Sequence, residues 1–195
     1  MDPAGPEAVT LGEAAAMLRA DGVVAFPTET FYALGAAALS RVAVNRVFVL
    51  KGRPRSSPLL VLVDSVSMVE RVAEVTDVAR SLMARYWPGA LTLVLRARPI
   101  VPVEVTASTG TVGVRLSAHA VARELVRTLG DPITAPSANL TGEPPPSSSA
   151  DVVRYFGAAI DLVLDGGETS GGLPSTVLDV SVDPPRLIRA GAIIL

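Results

Sequence analysis

The sequence predicts one α/β domain built on a mixed β-sheet flanked by helices, and three observations carry that expectation. Short apolar blocks of strand length alternate with stretches of helical period through most of the chain, and strands then dominate near its end. Sixteen glycines and sixteen prolines punctuate these blocks, so turns and element ends are marked throughout. Although 49% of the residues are hydrophobic, no apolar run reaches the roughly 18 residues that a membrane span needs. With 195 residues the chain is long enough to bury a substantial core, and no internal repeat or domain boundary divides it.

Thr10-Leu11-Gly12-Glu13 reads as a capping box, with residues 14–20 as the body of a first helix ended by Asp21-Gly22. Residues 23–26 read as a buried strand that Pro27 stops, and Thr28-Glu29-Thr30 follows at its carboxyl end, where open α/β sheets place ligand groups. A plain polar turn is the other reading of those three residues. Ser40 caps a helix over 41–50, and residues 51–58 form a rigid basic loop before a strand over 59–63. Helices are expected over 66–75 and 77–86, then Trp87-Pro88-Gly89 as a break with Trp87 plugging a corner, then a strand over 91–95. A strand over 112–116 follows, and Ser117 caps a helix that carries His119 in its first turn and ends at Gly130. Strands over 133–135, 162–164 and 177–180 and a helix over 151–156 complete the pattern. The Pro- and Ser-rich residues 141–149 are either a surface linker or a mobile cover.

Composition excludes several functions. Cysteine is absent and histidine occurs once, so disulfides and thiolate chemistry are out and little remains for a transition-metal site. A net charge of −2 argues against a surface built for long nucleic acid. Residues 1–7 carry neither a basic nor an apolar segment of a secretory signal, so a cytoplasmic location without membrane attachment is expected. Neither a Walker A pattern nor a GxGxxG fingerprint is present.

Against this background a few residues stand out. Lys51 is the only lysine in a chain whose other cations are all arginine, and Arg53 stands two positions on across Gly52. A compact ammonium beside a planar guanidinium suits a phosphate chain. The plainer reading is a helix end, with a cation near the last carbonyls and glycine after them. Arg115 interrupts an apolar strand, which is costly unless an anion or an internal carboxylate satisfies it. Asn139 follows the strand end Ala135-Pro136-Ser137-Ala138 in a chain with one other asparagine and no glutamine. The four glycines of residues 166–174 suit a close backbone approach to a ligand.

In order and spacing, these pieces resemble the Sua5/YciO/YrdC family, in particular its short bacterial members. The matching segments are Pro27-Thr28-Glu29-Thr30 with Tyr32, Lys51-Gly52-Arg53-Pro54, Trp87-Pro88-Gly89, Val114-Arg115, Pro136-Ser137-Ala138-Asn139 and Pro174-Ser175-Thr176-Val177, spread over residues 22–191. The resemblance implies a single domain over 1–195, with a twisted mixed sheet and a concave ligand cleft, and without the further carboxyl-terminal domain of Sua5-type chains. It also implies a nucleotidyltransferase that makes threonylcarbamoyl-AMP and pyrophosphate from L-threonine, bicarbonate and ATP, with Mg²⁺. The product then serves N6-threonylcarbamoylation of adenosine 37 in tRNA by downstream transferase proteins. Carried over by residue, Lys51 and Arg53 are catalytic. The nucleotide meets Lys51, Arg53, Ser57, Thr111, Ser137, Asn139 and Arg189, and threonine meets Thr30, Arg115, Ala135 and Ser175. No metal ligand carries over. The chain departs from the family pattern at Ala33, Ser57, Leu62 and Pro145, where glycine, asparagine, histidine and serine are common.

Two other readings stand beside this one. A YciO-like paralogue would share the fold, although such chains tend to lack the Lys-Arg pair. An RNA-binding module is opposed by the acidic balance and by the few aromatic residues, whereas weak tRNA binding beside the synthase activity is compatible with the resemblance.

Overall fold

The computed structural model describes residues 9–195; residues 1–7, read above for a secretory signal, lie outside the described residues. The chain opens on helix α1 (Leu11–Arg19), and the expected capping box is formed, with the Thr10 hydroxyl accepting from the Glu13 N–H and the Glu13 carboxylate from the Thr10 N–H. Strand β1 (Val24–Pro27) is fully buried and turns at Thr28-Glu29-Thr30-Phe31 into an antiparallel partner, β2 (Tyr32–Gly35). Pro27 is the last residue of β1 rather than a breaker before it ends, a position where its missing N–H is tolerated. Helix α2 (Arg41–Lys51) starts at the Ser40 cap and ends at Gly52, which takes the left-handed conformation (φ 57°). The helix-end reading of Lys51-Gly52 therefore holds.

Strand β3 (Leu60–Leu62) precedes helices α3 (Val66–Val72) and α4 (Asp77–Tyr86), capped by Ser65 and Thr76. After α4 the Trp87 indole N–H donates to the Leu91 carbonyl at 2.7 Å, so Trp87 fixes the corner into β4 (Leu91–Arg96). A short helix, α5 (Val103–Thr106), leads to β5 (Thr111–Arg115) and helix α6 (Ala120–Leu129). The expected Ser117 cap is corrected here. His119 is the cap residue, and the Ser117 hydroxyl accepts from the His119 N–H while donating to the Glu29 carboxylate. Strand β6 (Ile133–Thr134), helix α7 (Ser149–Phe156), β7 (Leu162–Val163), β8 (Thr176–Asp179) and β9 (Arg186–Arg189) complete the chain.

The twisted mixed sheet is present, with its ladder in two parts. Six strands run in the order β6-β3-β5-β4-β8-β9, with parallel β3–β5 and β4–β8 pairs and antiparallel pairs elsewhere. Three more, β2-β1-β7, form a smaller sheet. Isolated bridges Ala33–Ser137 and Ala37–Ile133 tie β2 to the β6 edge, so the two parts meet along the segment that carries Ser137 and Asn139. One contiguous cluster of buried apolar side chains, including Leu18, Phe26, Leu62, Leu93, Leu125 and Ile133, lies between the sheets and helices. Burial on the helix-covered face leaves the alternate residues of the six-stranded sheet facing the other way, and these build the site.

Candidate active site

On that second face the strands present Leu60 from β3, Thr92 and Val94 from β4, Thr111, Gly113 and Arg115 from β5, and Val177 and Asp179 from β8. They floor a cavity of about 1020 Å³. Its walls are Thr28-Glu29-Thr30-Phe31, the turn after β6, the Pro-rich residues 143–145 and the glycine-rich segment before β8, although Glu29 itself does not face the space. Arg189 reaches the cavity through an irregularity. Register shifts between Val177 and Leu178, so Ile188 is an extra residue in β9 and Arg189 lies opposite Val177 on the concave side, as Arg186 lies opposite Asp179. Simple alternation from Arg186 would point Arg189 outward; the bulge turns it in.

The electrostatic centre is Arg115. It is 3% exposed, its Nε has no hydrogen-bond partner among the described residues, and its nearest carboxylate oxygen is Glu29 Oε1 at 3.8 Å, beyond hydrogen-bond reach. That oxygen is also buried and unpartnered. Burial lowers the Arg115 pKa, with Arg189 lowering it further and Glu29 raising it. A guanidinium so placed stays charged and under-satisfied, and an anion entering the cavity supplies what the chain does not. Beside it the buried Ser175 hydroxyl lies 3.0 Å from the Thr92 hydroxyl, and Arg189 donates to the Ser175 carbonyl and hydroxyl at 2.8 and 3.1 Å. Thr30 completes this end, its hydroxyl 3.1 Å from that of Thr28.

At the other end Arg53 lines the cavity, its guanidinium steadied by the Ser57 and Pro58 carbonyls at 3.3 and 2.9 Å. Lys51 does not line it. The Lys51 ammonium is 3% exposed and donates to the carbonyls of Ser137 and Asn139, the latter at 2.6 Å, so it clamps the turn after β6 from behind. Burial first, and Arg53 second, lower its pKa to about 8. The Asn139 side-chain amide in turn donates to the Leu140 and Glu143 carbonyls at 2.9 and 2.6 Å, while its Oδ1 is buried without a partner among the described residues. Residues 140–147 are further tied by Thr141 N–H to the Lys51 carbonyl, Tyr32 N–H to Pro146 and the Tyr155 hydroxyl to Pro144. This is a strap with defined anchors.

Of the positions expected from the sequence, Thr30, Arg53, Thr111, Arg115, Ala135, Ser137, Asn139, Ser175 and Arg189 come together around the one cavity. Lys51 and Ser57 stand outside its lining: Lys51 supports the Ser137–Asn139 turn, and Ser57 offers Arg53 a backbone carbonyl. Ala33 and Pro145 line the cavity, whereas Leu62, opposite Arg115 in the β3–β5 pair, is buried and does not reach its lining. Sequence reasoning missed Thr92 and Glu29 as individuals. The signal for Thr92 was a hydroxyl in an apolar strand; Glu29 gave none beyond its motif, because its partners Arg115 and Ser117 are far along the chain. Among the described residues no three His, Cys, Asp or Glu side chains converge, so the residues present do not fit a metal held by the protein alone. No helix among them is long and apolar enough to cross a membrane.

Fold and cavity together define an α/β protein with a cleft lined by four arginines, Arg53, Arg115, Arg186 and Arg189. The Sua5/YciO/YrdC family model, described as telomere recombination, matches residues 16–191, and the chain belongs to that family. It is 45% identical over 181 residues to a threonylcarbamoyl-AMP synthase of Pyrococcus abyssi, covering 92% of this chain and 53% of that one. The corresponding values for a Bacillus subtilis threonylcarbamoyl-AMP synthase are 44% identity over 185 residues, 94% and 54%. The chain thus spans about half the length of these two relatives. The crystal structure of P. abyssi Sua5 complexed with L-threonine superposes with a TM-score of 0.91 at 44% identity, covering 93% of this chain and 54% of that one. Escherichia coli YciO superposes at 0.84 with 27% identity, covering 93% and 88%.

Proposed function

We propose that this chain is an L-threonylcarbamoyladenylate synthase, a nucleotidyltransferase acting on L-threonine, bicarbonate and ATP. The observation that carries the reading is Arg115, a buried guanidinium whose Nε has no hydrogen-bond partner among the described residues, at the head of a cavity that also holds Ser175, Arg189 and Arg53. The names of the relatives and the threonine bound in P. abyssi Sua5 point the same way. In this reading the threonine carboxylate lies on Arg115, with Thr30, Ser175 and the Ala135 backbone around the rest of the amino acid. Arg53, Thr111, Ser137, Asn139 and Arg189 meet the nucleotide, with Lys51 holding the Ser137–Asn139 turn against it. Ser57 serves Arg53 through its carbonyl.

The threonine amine takes up the carbon of bicarbonate and one water leaves. An oxygen of the resulting carbamate then attacks the α-phosphorus of ATP, and the bond to pyrophosphate breaks with its electron pair on the departing oxygen. Every reactant is anionic, so the chain's work is to position them and offset charge, without a covalent nucleophile. Removing one preorganised charged donor costs about 3–4 kcal/mol of transition-state stabilisation, roughly 10²–10³ in rate. Mg²⁺ belongs to this reading as the companion of ATP. The adenylate passes to downstream transferase proteins that modify tRNA, in the cytoplasm.

The test is pyrophosphate release by the purified protein with ATP, Mg²⁺ and each of several amino acids, with and without bicarbonate, and mass detection of the adenylate. Release that needs both threonine and bicarbonate, with serine poorer, is expected. Equal release without bicarbonate means simple amino-acid adenylation and removes the proposal. YciO shares the fold, so architecture alone does not separate the two, and threonine- and bicarbonate-dependent release is the measurement that does.

A further inference from the structure

Nearly every described glycine has a structural reason to be glycine, and Gly113 has none. A Cβ at Gly22, Gly35, Gly89, Gly166 or Gly191 would fall within 2.2–2.6 Å of another atom, and most of the others have a positive φ that side chains rarely adopt. Only Gly12 and Gly113 lack both constraints. Gly12 is exposed in the first turn of α1. Gly113 lies in the middle of β5, paired on both sides with Leu60 and Val94, where a missing side chain weakens the strand. A Cβ there would meet Thr92 Cγ2 at 3.4 Å and Leu60 Cβ at 3.6 Å, which are ordinary contacts. The fold would accept alanine, and what alanine would fill is the floor of the cavity.

Residues on one face of a strand recur about every 7 Å, so Gly113 sits that far from Arg115 on one side and from Thr111 on the other. The geometry points to Gly113 as the residue that sets cavity depth under the middle of the ligand: bare backbone there admits the carbamoyl–phosphate junction, the mixed-anhydride group that forms between an amino acid anchored at Arg115 and the nucleotide. This rests on the proposed synthase reading. Filling that spot leaves the amino-acid end of the cavity unchanged and pushes the reacting atoms apart. A displacement near 1 Å costs on the order of 10²-fold in rate.

Gly113→Ala and Gly113→Val, with Gly12→Ala as control, are to be compared with wild type in thermal melting, calorimetric titration with threonine, and threonine-dependent pyrophosphate release. The expected result for Gly113→Ala is a melting temperature equal to or above wild type, a threonine Kd within twofold, and pyrophosphate release down at least tenfold. Gly113→Val loses more rate, and Gly12→Ala loses none. A Gly113→Ala protein that works within twofold of wild type overturns the inference. So does one that melts several degrees lower, which makes the glycine a packing requirement, or one that loses threonine binding as much as rate, which puts Gly113 under the amino acid itself. If wild type shows no threonine- and bicarbonate-dependent release, the synthase reading fails and the junction assignment with it; an active wild type beside an equally active Gly113→Ala removes only the latter.

Discussion

Lys51 carries its charge where little water reaches it, and its chemistry follows from that. Its pKa of about 8 lies below the ordinary 10.5, so between those values the folded chain binds fewer protons than the unfolded one. Stability of the ligand-free protein therefore rises as pH climbs from about 8 toward 10.5, while over the same window the ammonium that holds the Ser137–Asn139 turn against the nucleotide loses its charge. ATP affinity, measured by titration at fixed ionic strength, is expected to fall above about pH 8 in wild type. It should stay flat in Lys51→Arg, whose guanidinium does not titrate there. That variant should also be slower by about 10²-fold, because a longer planar group does not fit between the Ser137 and Asn139 carbonyls without moving the turn. Wild-type-like rates in Lys51→Arg would reduce Lys51 to a helix-end charge.

At the scale of elements, the strap over residues 140–147 is held by one side chain at its base. The Asn139 amide spends both protons on the Leu140 and Glu143 carbonyls, and its removal leaves those groups to water or to nothing. Asn139→Ala should cost about 1–3 kcal/mol and loosen the strap. Limited proteolysis should cut this segment faster in the variant. ATP with threonine should slow cleavage in wild type and do so poorly in Asn139→Ala. Equal cleavage in the two proteins would mean that the Tyr32, Thr141 and Tyr155 bonds suffice as anchors. On the opposite wall, Gly191 packs its α-carbon against the backbone of Pro174, Ser175 and Thr176, and the Ala192 N–H returns to the Pro174 carbonyl.

For the whole molecule, binding energy adds to folding energy. At 100-fold excess over Kd a ligand adds about 2.7 kcal/mol, and in a domain of this size each kcal/mol moves melting by about 2–4 °C. Saturating ATP with threonine should thus raise the melting temperature by about 5–10 °C, and Arg115→Ala should abolish the part due to threonine. No shift with either ligand would contradict the cavity's assignment. A net charge of −2 argues against a strongly basic surface, so tRNA binding, if measured against salt, should be weak and shallow in slope rather than steep.

Much of this was legible in the linear chain, because local chemistry leaves local marks. A capping box and a Ser cap announced α1 and α2, helical period announced α3 and α4, and apolar blocks announced β1, β3, β4 and β5. Arg115 betrayed itself by being charged in an apolar strand. Strand β9 did not, since Arg-Leu-Ile-Arg is exposed along its length and is a strand only because β8 offers it an edge. Likewise β2 and α5 carried no pattern of their own that outweighed their neighbours. The site shows the same division. Sequence determined which groups are rare or costly where they stand, namely Lys51, Arg115 and Asn139. Only tertiary structure decided that Lys51 faces two carbonyls instead of the cavity, that Glu29 lies loosely beside Arg115, that a bulge turns Arg189 inward, and that Gly113 leaves a gap no packing requires. Each of these is a relation between residues dozens of positions apart, or between neighbouring strands in register, and side-chain chemistry specifies such relations only after the chain has closed on itself.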